Sequence, residues 1–254
     1  MLWICINCIN LKGQSEQTKY IPNISVPLLR HFTMILDLGK GHSISAAFFC
    51  PQSRAPDEEY LAGLHLFLRH NQYGQILLQE LSGLDGIWTI FANARDDIRA
   101  LSQGPMFVDM LRDWARDGDS GPLATARSGI VALPLLLVLQ IGQYLRYLEV
   151  NELSHYEFVA EVRQAGGLQG YCGGLPAAIA IACAKDEKEV ATNAAIIMRV
   201  VLGVGACSEA ADGTSGSTAL AIRLKHEGQG DELARAFPGV WYPQNSLETK
   251  RRGL

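Results

Sequence analysis

The sequence predicts an α/β fold, and three observations support this prediction. Its 254 residues include 25 glycines and only 8% aromatic residues, a composition more typical of α/β enzymes than of all-β sandwiches. A short apolar run at 33–38 ends in Gly39-Lys40-Gly41, as expected for a buried strand that leads into a turn. Dense glycine at 166–174 precedes a run of small apolar residues at 175–184, which indicates a tight turn followed by a buried helix.

Apolar residues spaced three and four apart predict helices over much of the remaining chain. The first begins at Asp57, which follows Pro56 and can cap the helix. The longest is a buried helix at 133–148 that starts with Pro134. Further helices are predicted at 75–81, 95–101, 107–116, 154–164, 187–202 and 230–237, a loop at 117–122, and strands at 218–224 and 238–242.

Charge and composition exclude two classes of partner. The 22 basic and 26 acidic residues give a net charge of −4, without the basic cluster that nucleic-acid binding requires. The apolar run at 133–148 is interrupted by Gln140, Gln143 and Arg146, and it is shorter than the roughly 20 apolar residues of a membrane span. The sequence therefore predicts neither a nucleic-acid partner nor a membrane partner.

The six cysteines are scattered, at positions 5, 8, 50, 172, 183 and 207. They are too few and too dispersed for a disulfide scaffold, and residues 1–10 lack the features of a signal peptide, so a reducing, cytoplasmic location is predicted. Cys5 and Cys8 form a C-x-x-C pair, but no second pair completes the four ligands of zinc. We therefore predict no metal and no other cofactor. Cys183 and Cys207 lie in apolar or small-residue stretches and are predicted to fill the core.

Gly170-x-Cys172-x-Gly174 has the spacing of a nucleophile elbow, with cysteine in place of serine. The nucleophile of an elbow sits on a sharp strand-to-helix turn, and the two flanking glycines provide the space that the turn needs. A helix that begins at Gly173 would point its first amides at the sulfur, favour the thiolate and form an oxyanion hole. From the spacing alone, the alternative is that Cys172 is a small buried residue in a glycine turn.

Several further stretches resemble one enzyme family over about residues 60–239. They are Ser102-Gln103-Gly104-Pro105, Leu133-Pro134-Leu135-Leu136, Gln140 to Tyr144, Gln169 to Gly174 with the alanine-rich run that follows, and Phe237-Pro238-Gly239. Together they resemble the starter-unit acyl-carrier-protein transacylase domain of fungal non-reducing iterative polyketide synthases, which is related to malonyl-CoA:carrier-protein transacylases. The resemblance implies an α/β transacylase core with a parallel sheet flanked by helices, plus a small ferredoxin-like subdomain.

The same resemblance suggests how the chain is organised. Residues 34–214 would form the α/β transacylase core, and residues 215–242 would start the small subdomain, which would be incomplete. Residues 1–33 have no apolar periodicity, and neither they nor residues 243–254 resemble the family. We therefore interpret the sequence as a poorly ordered extension, a core, a truncated subdomain and an unmatched tail.

The resemblance also implies a thioester mechanism in polyketide biosynthesis. Cys172 would accept an acyl starter unit from a CoA or carrier thioester and pass it to the phosphopantetheine thiol of an acyl carrier protein. Gly170, Gly173 and Gly174 would form the elbow, and Lys40 takes the place of a glutamine that the family has near its oxyanion hole. The family's general-base histidine lies well beyond the nucleophile, whereas only His226 follows Cys172 here, in a polar, loop-like stretch.

Two functional hypotheses follow from these residues. Either the chain is an acyltransferase whose Cys172 takes a short or medium acyl chain, or it is a catalytically impaired domain that only binds acyl or carrier partners. The sequence separates the two only through the missing base, because no residue after Cys172 matches the family's histidine. Acylation of Cys172 is the observation that would decide between them.

Overall fold

Ten α-helices and a two-stranded parallel sheet form the part of the chain described by the computed structural model, residues 47–49, 56–126 and 128–212. These residues belong to the first of two units into which the chain divides, Met1–Gly213. The strands are β1 (Ala47–Phe49) and β2 (Leu168–Gly170). The helices are α1 (Glu58–His70), α2 (Gly74–Ser82), α3 (Leu84–Ala94), α4 (Asp96–Arg99), α5 (Gly104–Asp117), α6 (Gly121–Thr125), α7 (Gly129–Val150), α8 (His155–Arg163), α9 (Leu175–Ala182) and α10 (Glu187–Asp212).

Several sequence predictions fall outside the described residues and stay predictions. They concern residues 1–33 with Cys5 and Cys8, the strand at 33–38 with Lys40, and the segments 215–242 and 243–254 with His226. Within the described part, many helices around a small parallel sheet are compatible with the predicted α/β class.

Three helices begin at side-chain caps that determine where they start. Asp57 precedes α1, as its position predicts, and its Oδ1 accepts a hydrogen bond from the Tyr60 amide at 2.8 Å. Ser154 and Glu157 form a reciprocal capping box at the start of α8. Ser128 caps α7 by accepting from the Ile130 amide at 3.1 Å. These side chains satisfy amides that have no partner within their own helix.

The long helix α7 lies at the centre of the packing. Most of its 22 residues are buried, and it contacts α1, α2, α5, α9 and α10. A helix that is apolar on all sides is expected in such a position, because it has neighbours on every side. The helix also contacts the turn after β2, so it supports the segment that carries Cys172.

Helices α7 and α10 cross at two glycines. A Cβ at Gly205 would lie 2.4 Å from the Gly129 carbonyl oxygen, so glycine is needed for the two backbones to approach this closely. Beside the crossing, the Glu209 carboxylate accepts hydrogen bonds from the Ser128 hydroxyl and from the Ile130 amide, the latter at 3.4 Å. Helix α10 therefore packs against α7, and through Glu209 it also completes the cap at the N-terminus of α7.

A buried polar network joins α7, α8, the segment after α9 and the first residue of α10. The His155 Nε2–H donates to the Ala184 carbonyl at 3.0 Å, and its Nδ1 accepts from the Tyr144 hydroxyl at 2.7 Å. The Glu187 carboxylate accepts from the His155 amide at 2.6 Å. Burial, and then the negative charge of Glu187, raises the pKa of Tyr144 well above its usual range, so the hydroxyl keeps the proton that it donates.

Some predicted boundaries are wrong, for identifiable reasons. Helix α7 begins at Gly129 rather than at Pro134, because Ser128 caps it and the proline is accommodated inside the helix. Helix α6 starts at Gly121, within the predicted loop. Helix α10 continues ten residues beyond its predicted end at 202, although Gly203 and Gly205 interrupt its apolar pattern. Gly203 lies against the Phe91 ring of α3 and Gly205 lies where α10 crosses α7, so both glycines are part of the packing of the helix.

Two helices of the described residues are long and apolar enough to cross a membrane, judged by length and composition alone. They are Gly129–Val150 and Glu187–Ala211. In the first, 78% of the most apolar window is buried inside the protein, and core helices pass the same test. Packing against five other helices therefore accounts for the apolar character of α7.

His65 is a buried titratable residue between α1 and α5. Its Nε2–H donates to the Ala115 carbonyl at 3.1 Å, and its ring lies 5.6 Å from that of Trp114. Burial lowers the pKa of His65 and Arg69 acts in the same direction, while the bond to Ala115 and the charge of Asp117 oppose them. The unfolded chain therefore binds a proton on this histidine more readily than the folded chain does.

This difference predicts that stability decreases in mild acid. We expect the free energy of unfolding to retain the contribution of His65 above the ordinary histidine value of about 6.5 and to lose it progressively as the pH falls below that value. Thermal unfolding followed downward from about pH 8 measures the decrease. It should be smaller in His65→Gln, which keeps a donor for Ala115. The same pH dependence in both proteins would contradict this role of His65.

Candidate active site

Cys172 lies in a tight turn between β2 and α9. Strand β2 pairs in parallel with β1, with Phe49 opposite Gly170, and the Tyr171 amide donates to the Phe49 carbonyl at 2.9 Å. Cys172–Gly174 then form one turn of 3-10 helix directly before α9. The strand, turn and helix that the elbow spacing predicts are therefore present in this order.

The backbone of Cys172 is in the left-handed region, with φ at +50°. This conformation costs a non-glycine residue about 1–2 kcal/mol, and residues held in it cluster at functional sites. Two hydrogen bonds maintain the turn: the Gly174 amide donates to the Tyr171 carbonyl at 2.9 Å, and the Leu175 amide donates to the Cys172 carbonyl. The Cys172 side chain is exposed, so the alternative interpretation of a small buried residue is wrong.

Glycine at position 170 allows α9 to pack directly on β2. A Cβ there would meet the Leu175 Cα and the Ala178 Cβ, each at 2.7 Å, and the Gly174 carbonyl oxygen at 3.0 Å. Distances under 3.0 Å essentially never occur around a real Cβ, and one of these atoms belongs to the backbone. Steric crowding thus explains why the first position of the elbow spacing, residue 170, is a glycine in this chain.

The two glycines after Cys172 are candidate hydrogen-bond donors, because each has a backbone amide close to the cysteine in sequence. The Gly174 amide is engaged in the turn through its bond to Tyr171. Gly173 directly follows the cysteine, and in a nucleophile elbow the amide at that position contributes to the oxyanion hole. The contribution of Gly173 to an oxyanion hole stays a prediction.

The three histidines of the described residues lie elsewhere and bond to backbone carbonyls. His65 bonds to Ala115, His70 to Leu66 and His155 to Ala184. Ala184 lies beyond the C-terminal end of α9, whereas Cys172 precedes its N-terminal end, and eight helical residues span about 12 Å. None of these three side chains is hydrogen-bonded to the Cys172 sulfur.

Three large apolar side chains near Cys172 in the sequence are exposed to solvent, although the apolar pattern predicts that they are buried. Tyr171, Leu175 and Ile179 are all exposed. The sequence does contain a signal for them, because no charged residue occurs from position 171 to 184. An exposed helix usually carries charged or polar residues on its outer side, so their absence marks this surface as unusual.

The position of Cys183 shows that one prediction about the cysteines is wrong. It was expected in the core but is exposed at the C-terminal cap of α9, because the buried side of that helix is formed by other positions, including Ala180 and Ile181. Cys207 is half-buried. Within the described parts of the chain, no group of three or more histidine, cysteine, aspartate or glutamate side chains could hold a metal ion.

Fold and site together define a class: a mainly helical α/β protein with an exposed cysteine on a strand–turn–helix elbow. Residues 115–236, which include this elbow, match the family described as starter unit:ACP transacylase in aflatoxin biosynthesis. The chain is 50% identical over 201 residues to the non-reducing polyketide synthase Preu6 of Preussia isomera and 45% identical over 196 residues to atr1 of Stereocaulon alpinum. It is 33% identical over 202 residues to ascC of Acremonium egyptiacum.

The chain belongs to the starter unit:ACP transacylase family of fungal non-reducing polyketide synthases. The family predicted from the sequence is thereby confirmed. The alignments to Preu6 and atr1 cover 78% and 76% of this chain, but only 9% and 8% of those relatives. The chain thus spans less than a tenth of the length of these two relatives.

Proposed function

We propose that this chain transfers an acyl starter unit in polyketide biosynthesis through a thioester on Cys172. Membership of the family supports starter-unit acyl transfer. The observation that supports Cys172 is its position, an exposed thiol at φ +50° in the turn between a parallel strand and a helix. The donor is an acyl-CoA or acyl-carrier thioester, and the acceptor is the phosphopantetheine thiol of an acyl carrier protein.

The proposed reaction consists of two thioester exchanges. In the first, the Cys172 thiolate attacks the thioester carbonyl, a bond forms between its sulfur and the acyl carbon, and the donor thiolate leaves and takes up a proton. In the second, the deprotonated pantetheine thiol attacks the Cys172 thioester, and the cysteine is released. One sulfur–carbon bond forms and one breaks in each step, so atoms and electrons balance without a further reactant.

Backbone amides stabilise the tetrahedral intermediate in this proposal. The negative oxygen needs donors that are already in place, and such donors are often the largest single contribution to acyl transfer. We assign one donor to the Gly173 amide, which follows the nucleophile and lies before the positive end of the α9 dipole. The backbone amide of Lys40 is our candidate for the second donor.

Intact-mass spectrometry of the whole chain with a panel of acyl-CoA thioesters tests this proposal. We expect a single acyl adduct, absent in Cys172→Ala. Cys183→Ala is the matched control, because Cys183 is also exposed but lies at the other end of α9, and it should acylate like the unmodified chain. An adduct retained in Cys172→Ala would overturn the assignment of the nucleophile.

Carrier protein added to the acylated chain separates transfer from binding. We expect the acyl group to leave Cys172 when the carrier bears phosphopantetheine and to remain when the carrier lacks it, since only the former has an acceptor thiol. Acyl-CoA that binds without forming an adduct would instead support the alternative of an impaired domain that only binds its partners.

A further inference from the structure

We propose that the groove between α3 and α5 is a docking site for a basic segment of a partner protein, and that it takes up one arginine side chain of that segment. The guanidinium lies between Asp85 and Asp109, and the methylenes lie against Trp88 and Val108. The inference does not involve the thiol of Cys172. Helices α3 and α5 pack against each other, whereas α9 packs on α7, α10 and both strands.

The groove is small, mainly apolar and partly open to solvent. Its volume of about 310 Å³ lies at the lower end of the range for ligand pockets, so it suits one side chain or a small ligand. Two buried apolar side chains, Trp88 and Val108, form its floor. The walls include Asp85 and Thr89 of α3 and Pro105 and Asp109 of α5. An apolar pocket with a few polar groups at its walls is the usual form of a binding site.

Gly104 shapes the floor of this groove. A Cβ at Gly104 would lie 2.0 Å from the Trp88 Cζ2 and 2.3 Å from its Cη2, so the indole lies directly against the backbone where α5 begins. Gly104 and Pro105 belong to the stretch Ser102 to Pro105, which contributes to the family resemblance and has no part in the proposed acyl transfer. Glycine at position 104 therefore allows the tryptophan to occupy the floor, and Pro105 next to it forms part of a wall.

Both helices that form the groove have a net negative charge. Asp85 is the one charged residue of α3, and its Oδ1 accepts a hydrogen bond from the Gly86 amide at 2.8 Å. On the other wall, Asp109 pairs with Arg112 at 2.6 Å, yet α5 as a whole has three aspartates and two arginines. A cation in the groove would therefore complement the charge of its walls.

Arginine fits this arrangement better than lysine does. Its planar guanidinium has N–H donors that point in several directions, so it can donate to carboxylates on both walls, whereas the lysine ammonium is a compact point charge. A guanidinium also stacks on aromatic rings, and tryptophan, the residue in the floor, gives the strongest cation–π attraction. The methylenes of arginine find apolar contacts in Val108 and Pro105.

Exposed apolar side chains next to the groove favour a protein partner over a free cation. Ile90 follows Thr89 in α3 and is 61% exposed, and Met106 follows Pro105 in α5 and is 45% exposed. A small cation would leave both side chains in water, whereas a protein segment can cover them while its arginine enters the groove. Arginine, methionine and aromatic residues are enriched at the centre of protein interfaces, which matches this combination.

Isothermal titration calorimetry of the whole chain with a short peptide tests the proposal. The peptide has arginine at its centre, leucine on each side and blocked ends, so the guanidinium is its only charge. We expect saturable binding that weakens by about tenfold when citrulline, which has the shape of arginine without its charge, replaces the arginine. A peptide with lysine at the centre should bind more weakly than the arginine peptide. Undetectable binding, or equal affinity of the arginine and citrulline peptides, would overturn the proposal, and equal affinity of the arginine and lysine peptides would overturn the choice of arginine.

Four substitutions test whether the peptide lies in the groove. Asp85→Asn and Asp109→Asn should each weaken binding of the arginine peptide by about tenfold, because each removes one charged acceptor. Thr89→Lys should abolish binding, since it places a cation on an exposed wall. Asp113→Asn is the matched control, because Asp113 also lies 3.4 Å from the Arg112 guanidinium but does not line the groove, and it should leave the affinity unchanged. Equal losses in Asp109→Asn and Asp113→Asn would show a general effect of charge and contradict docking in the groove.

N-ethylguanidinium chloride separates a protein partner from a free cation. It has the same cationic group without a backbone or neighbouring side chains, so we expect it to bind about tenfold more weakly than the arginine peptide. Ile90→Ser should weaken the peptide by about threefold, since part of the isoleucine is covered, and leave the binding of N-ethylguanidinium unchanged. Ile196→Ser is its matched control, because Ile196 is 56% exposed on α10, and it should change neither affinity. Equal affinity for the two ligands, or no effect of Ile90→Ser on the peptide, would overturn the protein partner and assign the groove to a small cation.

Discussion

Gly170→Ala is expected to reduce acylation of Cys172 by about 100-fold, because displacing reacting groups by about 1 Å is enough for a loss of that size. The added Cβ would lie 2.7 Å from the Leu175 Cα and from the Ala178 Cβ. A backbone atom cannot rotate away as the end of a flexible side chain can, so α9 and β2 must separate. The turn between them holds Cys172 at φ +50°, and it must change with them.

Acylation rate and thermal stability of Gly170→Ala should be measured on the same preparation. Over-packing of this kind usually destabilises a protein by about 1–3 kcal/mol, so the variant is expected to fold and yet to lose most of its activity. A variant that acylates at the original rate would show that the elbow does not require close packing of β2 and α9.

Gly205→Ala is expected to destabilise the fold by about 3 kcal/mol, at the upper end of the range for over-packed cores. Its Cβ would lie 2.4 Å from the Gly129 carbonyl oxygen and 2.6 Å from the Gly129 carbonyl carbon. Relief requires α7 and α10 to move apart where Glu209 accepts hydrogen bonds from Ser128 and Ile130. The substitution therefore weakens both the helix crossing and the cap of α7.

Denaturant unfolding compares Gly205→Ala with Gly86→Ala. Gly86 lies in α3, and a Cβ there would have no atom within 4 Å, so alanine is expected to be neutral or to stabilise the helix by up to about 1 kcal/mol. The two variants make the same chemical change in helices. Similar unfolding midpoints for both would contradict the importance of the close crossing.

The local geometry of the candidate site could be predicted from the sequence, because short-range sterics determine most of it. The spacing of Gly170, Cys172 and Gly174 predicts the strand, turn and helix that the structure contains. What the spacing cannot supply is exposure, since that depends on which side of α9 faces the core. The exposure of Leu175, Ile179 and Cys183 was missed for this reason. The role of Cys172 in catalysis stays a prediction.

Helix positions were predicted where apolar periodicity is clear and missed where tertiary contacts override local signals. The start of α1 at Asp57 follows from its capping side chain. Helix α3 was not predicted, because Gly86 and the aromatic residues obscure its period. Strand β1 has only three residues, and its partner strand β2 lies far away in the sequence. Such pairing leaves almost no local pattern to detect.

The pairing of β1 with β2 also has a consequence for the order of folding. Ala47 and Leu168 are partners in the sheet, although eight helices separate them along the chain. Closing so long a loop costs entropy before any contact offsets it, and remote pairings of this kind form slowly. The hydrogen bond from Tyr171 to Phe49 belongs to this late pairing. While a new chain leaves the ribosome, we therefore expect Cys172 to lack the backbone conformation of the folded turn, which arises only once the helices between the strands have assembled.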